Sequence, residues 1–158
     1  AIKDGNRPEL IRLIQDSETL VQKTLDGDEA YVAQSLDTLH TSKVAPQFYN
    51  NEQALRSLIH QAYIAAIDEY VQIQELPSGK GYADVVFIPR KGSDRPAMIV
   101  ELKCNTSVGG AIRQIKDRNY PQLVGQLTND VLLVGINYNK KTKKHECRIE
   151  KITDDNRR

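Results

Sequence analysis

The feature that most constrains this chain is a pair of short apolar runs that carry charge. The first reads Ala83-Asp84-Val85-Val86-Phe87-Ile88-Pro89, and the second reads Pro96-Ala97-Met98-Ile99-Val100-Glu101-Leu102-Lys103-Cys104. Both are too short for helices and rich in Val and Ile, and the polar stretch Arg90-Lys91-Gly92-Ser93-Asp94-Arg95 separates them, so they read as adjacent strands of one hairpin. Burying an unpaired carboxylate costs several kcal/mol, so ions in such strands must be paired, metal-bound or placed at a strand end that opens on a cleft. Glu101 and Lys103 are two apart, which sets them on one face of a strand. A carboxylate from one strand with a carboxylate and an ammonium from its neighbour is a seat for a hard divalent cation.

The rest of the chain is read around that hairpin. Its 158 residues suit one domain with a real core, or a core with a small appendage. The formal net charge of +1 provides no global field for nucleic acid, so any such surface must be a local patch. Two cysteines, Cys104 and Cys147, are too few for a disulfide framework, and no signal peptide or membrane-spanning run is evident; a reducing cytoplasm is the expected compartment.

Helical spacing runs to about residue 42. Asn6 and Pro8 open a first short helix. Asp16-Ser17-Glu18 open a second, ended by Gly27, and Asp28-Glu29 open a third. A long helix is predicted over 51–70, with Leu55, Leu58, Ile59, Ala62, Tyr63, Ala66 and Ile67 as its apolar stripe and Glu52 in its first turn, where a carboxylate complements the helix dipole. A strand over 71–76 leads into the hairpin, and a helix from Gly109 or Gly110 carries Ala111, Ile112 and Ile115, with Gln114 and Arg118 beside that set. A short helix follows over 123–127. The run 130–138 is apolar on both faces, as in a sheet covered on both sides, and after the basic loop 139–144 an edge strand closes the domain over 145–152. The class is α/β: a mixed central sheet flanked by helices, preceded by a small N-terminal helical subdomain. The expected division is 1–45, 46–153 and a tail over 154–158.

Other motifs carry less. Gly79-Lys80-Gly81 does not make a P-loop, because position 74 is Gln and position 81 is Gly where a hydroxyl residue is needed. His40, His60 and His145 have no ligand spacing for zinc.

A helix with Glu52, a strand with Asp84, a strand with Glu101-Leu102-Lys103 and a helix with Gln114, in that order, resemble the PD-(D/E)XK nuclease superfamily. Asn51-Glu52, Gly79 to Asp84, Ile99 to Lys103, Ala111 with Gln114-Ile115, Tyr120 and Val134 to Tyr138 are similar, more narrowly, to the branch found C-terminal to predicted AAA-type ATPases of bacteria. The resemblance covers roughly residues 50–152 and implies a restriction-endonuclease-like core. It implies Mg²⁺ or Mn²⁺ held by Asp84, Glu101 and the backbone carbonyl of Leu102, with Lys103 holding the attacking water. Glu52 would reach the same cluster and Gln114 would orient it, while Arg113, Lys116 and Arg118 would touch phosphates. DNA is the implied partner, with RNA an alternative, alongside an ATPase domain in the same longer chain; a homodimer is compatible with the reading. Ala83 stands where the family's name has Pro, and Arg118 stands four after Gln114 where one subgroup has Tyr. The reading from another class is a non-cleaving nucleic-acid-binding or regulatory module.

Overall fold

The computed structural model describes residues 7–43, 52–74, 83–117 and 130–153. Helices α1 (Arg7–Leu25), α2 (Glu29–Lys43) and α3 (Glu52–Ala62) come first, and a 3-10 segment, Ile64–Asp68, follows α3. Strands β1 (Tyr70–Gln74), β2 (Ala83–Pro89) and β3 (Ala97–Cys104) then lead to helix α4 (Val108–Asp117) and strands β4 (Val131–Asn139) and β5 (Lys144–Ile152). The five strands form one sheet in the order β1-β2-β3-β4-β5. Neighbours are antiparallel except β3 and β4, which run parallel because α4 carries the chain back between them. From α3 onward the described elements follow the predicted succession, with the charged hairpin within the sheet.

Two cores lie on the two faces. On one face Leu20, Val32, Leu36, Leu55 and Ile59 of the first three helices, with Tyr63 just after α3, pack against Val85, Phe87, Val100, Leu102, Val134 and Ile136. On the other, Ile112 and Ile115 of α4 pack against Val86, Ile99 and Leu133. β4 is sandwiched between them, and every residue from Val131 to Tyr138 is buried, which is why its sequence reads as a continuous apolar run. The residues of the expected helical subdomain thus contribute to a core that they share with the sheet. Among the described residues no helix is long and apolar enough to cross a membrane.

The N-terminal reading needs correction. Asp16-Ser17-Glu18 do not open a new helix; α1 runs unbroken from Arg7 to Leu25. Ser17 is buried, and its hydroxyl donates to the Ala62 carbonyl at 2.8 Å and accepts from the Ala65 amide at 2.9 Å. A residue that looks like a helix cap therefore bonds to another helix. The same contact explains why the helix predicted over 51–70 is shorter: α3 stops at Ala62, and the chain tightens into the 3-10 segment where Ser17 takes the backbone groups. Gly27 ends α1 with φ +79°, and Asp28 caps α2 by accepting from the Tyr31 amide at 3.1 Å, both as expected. Asn6, the boundary near residues 43–46, the strand end at 75–76, Gly79-Lys80-Gly81, the helix over 123–127 and the tail lie, in whole or in part, outside the described residues.

β5 is an edge strand, and α2 covers its edge. Glu29 Oε2 accepts from the Ile149 amide at 2.7 Å, and Asp37 Oδ1 accepts from the His145 amide at 2.6 Å. Eight residues of helix span about 12 Å and four of strand about 13 Å. Two helical carboxylates two turns apart therefore match two strand amides four residues apart, and the row of unpaired donors that invites association is blocked.

The seam between α2 and β5 also buries two imidazoles. His145 Nδ1 lies 2.8 Å from Asp37 Oδ1, and the His40 ring lies 4.8 Å from Tyr138 and 5.4 Å from His145. Burial, reinforced by His145 and opposed by Asp37, lowers the His40 pKa from 6.5 to about 4. The His145 pKa is lowered by burial as well, against its hydrogen bond to Asp37 and the charge of that carboxylate. A folded pKa below the unfolded one means that the unfolded chain binds more protons between them. Stability is thus full above pH 6.5 and is lost as pH falls toward 4. At about 1.4 kcal/mol per unit, His40 contributes on the order of 3 kcal/mol to that loss. His40→Phe, which keeps a ring and cannot titrate, is expected to flatten the decline measured by urea denaturation between pH 7 and 4.5. An unchanged slope would assign the decline to other groups.

Candidate nuclease site

The site is built from strand register. Asp84 pairs with Glu101 across the antiparallel β2–β3 ladder, as Val86 does with Ile99. Val86 and Ile99 belong to the core under α4, so positions 84, 101 and 103, which keep their parity, fall on that same face. Asp84 is placed here by its backbone register. Glu101 is only 1% exposed, an ionisable group at a place where the ladder otherwise sets aliphatic residues. Lys103 follows it, half-buried near the C-terminal end of β3, and burial lowers its pKa. Leu102 is buried on the opposite face, in the core of the first three helices; its main-chain carbonyl is the group it has to offer a cation.

β4 supplies the other side. In the parallel register Gly135 stands opposite Glu101 and Asn137 opposite Lys103. A Cβ on Gly135 would lie 3.0 Å from both the Val108 carbonyl oxygen and Ile112 Cγ1, and 3.1 Å from Ala111 Cβ. Glycine thus lets the first turns of α4 lie directly on the sheet beside Glu101. The approach to α4 is equally defined. Asn105 adopts φ 56°, and Ser107 caps the helix by accepting from the Gly110 amide at 2.9 Å. Asn137, 3% exposed, accepts at Oδ1 from the Thr106 amide at 3.0 Å and the Thr106 hydroxyl at 3.4 Å.

The structure treats the other predicted residues differently. Gln114 sits on the helix that covers the face of Glu101 and Lys103, and its buried Nε2 has no hydrogen-bond partner among the described residues. Arg113 is exposed on the same helix. Lys116 is exposed and forms an ion pair with Glu150 at 2.8 Å. Arg118 and Tyr120 lie outside the described residues. Glu52 opens α3, whose Leu55 and Ile59 lie in the core on the other face of the sheet; the strand register does not bring it to the others. Register therefore gathers Asp84, Glu101 and Lys103, and α4 adds Gln114.

Sequence reasoning left Gly135 and Asn137 without roles. The available signal was a glycine and an amide interrupting an apolar strand. Arg148 was also passed over. It stands in register with Gly135, and its Nη1 would lie 3.3 Å from a Cβ on Gly109, beside the first turn of α4.

The donor chemistry fits a hard divalent cation: two carboxylate positions opposed across one ladder, a neighbouring backbone carbonyl, and no thiolate or imidazole in the set. A cavity of about 580 Å³ lies elsewhere, between α1, α2 and the end of α3, on the far side of the sheet. Comparison with curated proteins gives no match. A family model described as the PD-(D/E)XK nuclease superfamily matches residues 50–147, more than half of the chain, and includes every strand and helix that carries the site. Because that match coincides with the mixed sheet, the paired acidic positions and the covering helix, the chain belongs to the PD-(D/E)XK nuclease superfamily.

Proposed function

We propose that this chain is a metal-dependent nuclease domain that hydrolyses phosphodiester bonds of DNA. The observation that carries the reading is the pairing of Asp84 with Glu101, with Lys103 two residues on and on the same face. Asp84, Glu101 and the Leu102 carbonyl hold the cation, Mg²⁺ or Mn²⁺. Such an ion supplies Lewis-acid polarisation of the phosphate and a hydroxide near neutral pH. Lys103 is the water-holding residue: an ammonium with a burial-lowered pKa, beside the acids, offsets charge gathering on the phosphate. Gln114 orients the acids or contacts the nucleic-acid backbone; a water-mediated role for Glu52 rests on the family resemblance alone, since strand register does not bring α3 to the acids. Exposed Arg113 supports phosphate contact, a role the family resemblance also implies for Arg118; Lys116 takes part only by exchanging Glu150 for a phosphate. The similarity of the Gly79 to Asp84 and Val134 to Tyr138 phrases to the ATPase-associated branch supports an ATPase domain elsewhere in the same longer chain. A cytoplasmic setting is consistent with two cysteines that form no disulfide.

Incubation of purified protein with plasmid DNA and Mn²⁺ tests this reading. Cutting is expected, and Asp84→Ala or Lys103→Ala should each lower it on the order of 10²–10³-fold, the typical effect of removing one electrostatic stabiliser of a transition state. Cutting that survives both substitutions overturns the assignment. Nucleic-acid binding without cutting, unchanged by either variant, identifies the non-cleaving module instead.

A further inference from the structure

We infer that Asn137 is a positioning residue for this site: by clasping Thr106 it fixes the turn that carries α4, and with it Gln114, over Glu101 and Lys103. The inference rests on the nuclease reading and assigns a role to a residue outside the metal-binding and water-holding set.

Asn137 lies in a strand whose run from Val131 to Tyr138 is entirely buried. A buried amide is costly unless bonded, and among the described residues this side chain is bonded to Thr106. Its carbonyl oxygen has two acceptor positions, and both are taken by Thr106, one by the backbone N–H and one by the hydroxyl. The neighbouring bonds act in the same direction. The Asn105 amide donates to the Tyr138 carbonyl at 2.8 Å, and Asn105 Oδ1 accepts from the Lys140 amide at 2.8 Å. Residues 105 and 106 are thus tied to residues 137, 138 and 140 by four hydrogen bonds, with Asn105 in the left-handed conformation that turns the chain. Ser107 then caps α4.

Only three residues separate Lys103 from Ser107, so any play in this turn passes directly into the first turn of α4. The helix body has its own stop at Gly135, which admits it to the sheet opposite Glu101. Asn137 supplies the second fixed point, opposite Lys103. Two points on one strand define both the height of α4 and its direction. That definition is needed because Gln114 sits on a helix while the acids and the lysine sit on strands.

The test combines Asn137→Ala and Asn137→Asp, the latter retaining an oxygen able to accept both Thr106 donors. In Mn²⁺-dependent plasmid cleavage Asn137→Ala is expected to lower kcat roughly 10- to 100-fold, with KM within about twofold, as a small misplacement of reacting groups does. Asn137→Asp should recover most of that loss. Hydrogen exchange reads the clasp without any cutting: amides of residues 105–111 should exchange roughly tenfold faster in Asn137→Ala, with β4 and β5 unchanged. A kcat within about twofold of wild type, no recovery by Asp, or unaltered exchange overturns the inference. Should Asn137→Ala not fold, Asn137→Ser, with a shorter oxygen-bearing side chain, takes its place under the same outcomes. A wild type that never cuts removes the nuclease reading alone; exchange then decides the clasp, upheld by acceleration confined to 105–111 and overturned by its absence.

Discussion

Glu101→Gln is expected to abolish metal-dependent cleavage while leaving the fold at least as stable as wild type at neutral pH. Glu101 is 1% exposed on a central strand, flanked along the chain by buried Val100 and Leu102. An ionised carboxylate at such a place has lost most of its hydration, and an amide of the same length removes that desolvation cost while keeping a hydrogen-bonding oxygen. Gln keeps the length of the side chain and one carbonyl oxygen, so packing against α4 is preserved. It loses the charge that a divalent cation requires, and the expected loss of cutting is on the order of 10²–10³-fold or more. Urea denaturation in the presence of a chelator measures the first quantity, and plasmid cleavage with Mn²⁺ the second. Opposite signs are the signature of a residue kept for chemistry at the expense of stability. A variant that melts well below wild type and cuts normally would show that Glu101 serves the fold as a structural ion.

Gly135→Val should do the reverse, damaging the fold first and activity as a consequence. On strand propensity alone, replacing glycine by valine in a central strand would stabilise it. Here the first added carbon would lie 3.0 Å from the Val108 carbonyl oxygen and 3.0 Å from Ile112 Cγ1. Ile112 has some freedom to turn aside. The Val108 carbonyl belongs to the first turn of α4 and moves only with the helix. Overpacking of this kind typically costs about 1–3 kcal/mol, and the two further methyls of valine place the expected loss at the top of that range or beyond. Gly135→Ala should lose less but keep the sign. Urea denaturation of the two variants provides the check, and a Gly135→Ala protein more stable than wild type would refute the close approach of α4 to the sheet.

Much of this architecture is legible in residue order. The hairpin of β2 and β3 follows from two β-branched runs separated by a polar turn. β4 follows from an apolar run without alternation, and α4 from the spacing of Ala111, Ile112 and Ile115. The acids and the lysine stand out because charge is costly in such strands. The less legible features all depend on partners far along the chain. Ser17 looks like a cap until Ala62 and Ala65, 45 and 48 residues away, take its hydroxyl. His145 looks isolated until Asp37, 108 residues earlier, receives both its amide and its ring. Asn137 and Gly135 look like interruptions of a strand until α4 and the turn before it are laid against them.

From the sequence alone come the identity and order of the strands and of α4, and the presence of three ionic groups on two neighbouring strands, because periodicity and charge act over a few residues. The tertiary structure alone decides which of those groups face one another. In backbone register position 84 pairs with position 101, and Gly135 and Asn137 stand opposite Glu101 and Lys103; a slip of one residue would send these positions to the other face. That register is set by the burial of both faces of the sheet at once, a condition that no local stretch of the chain contains.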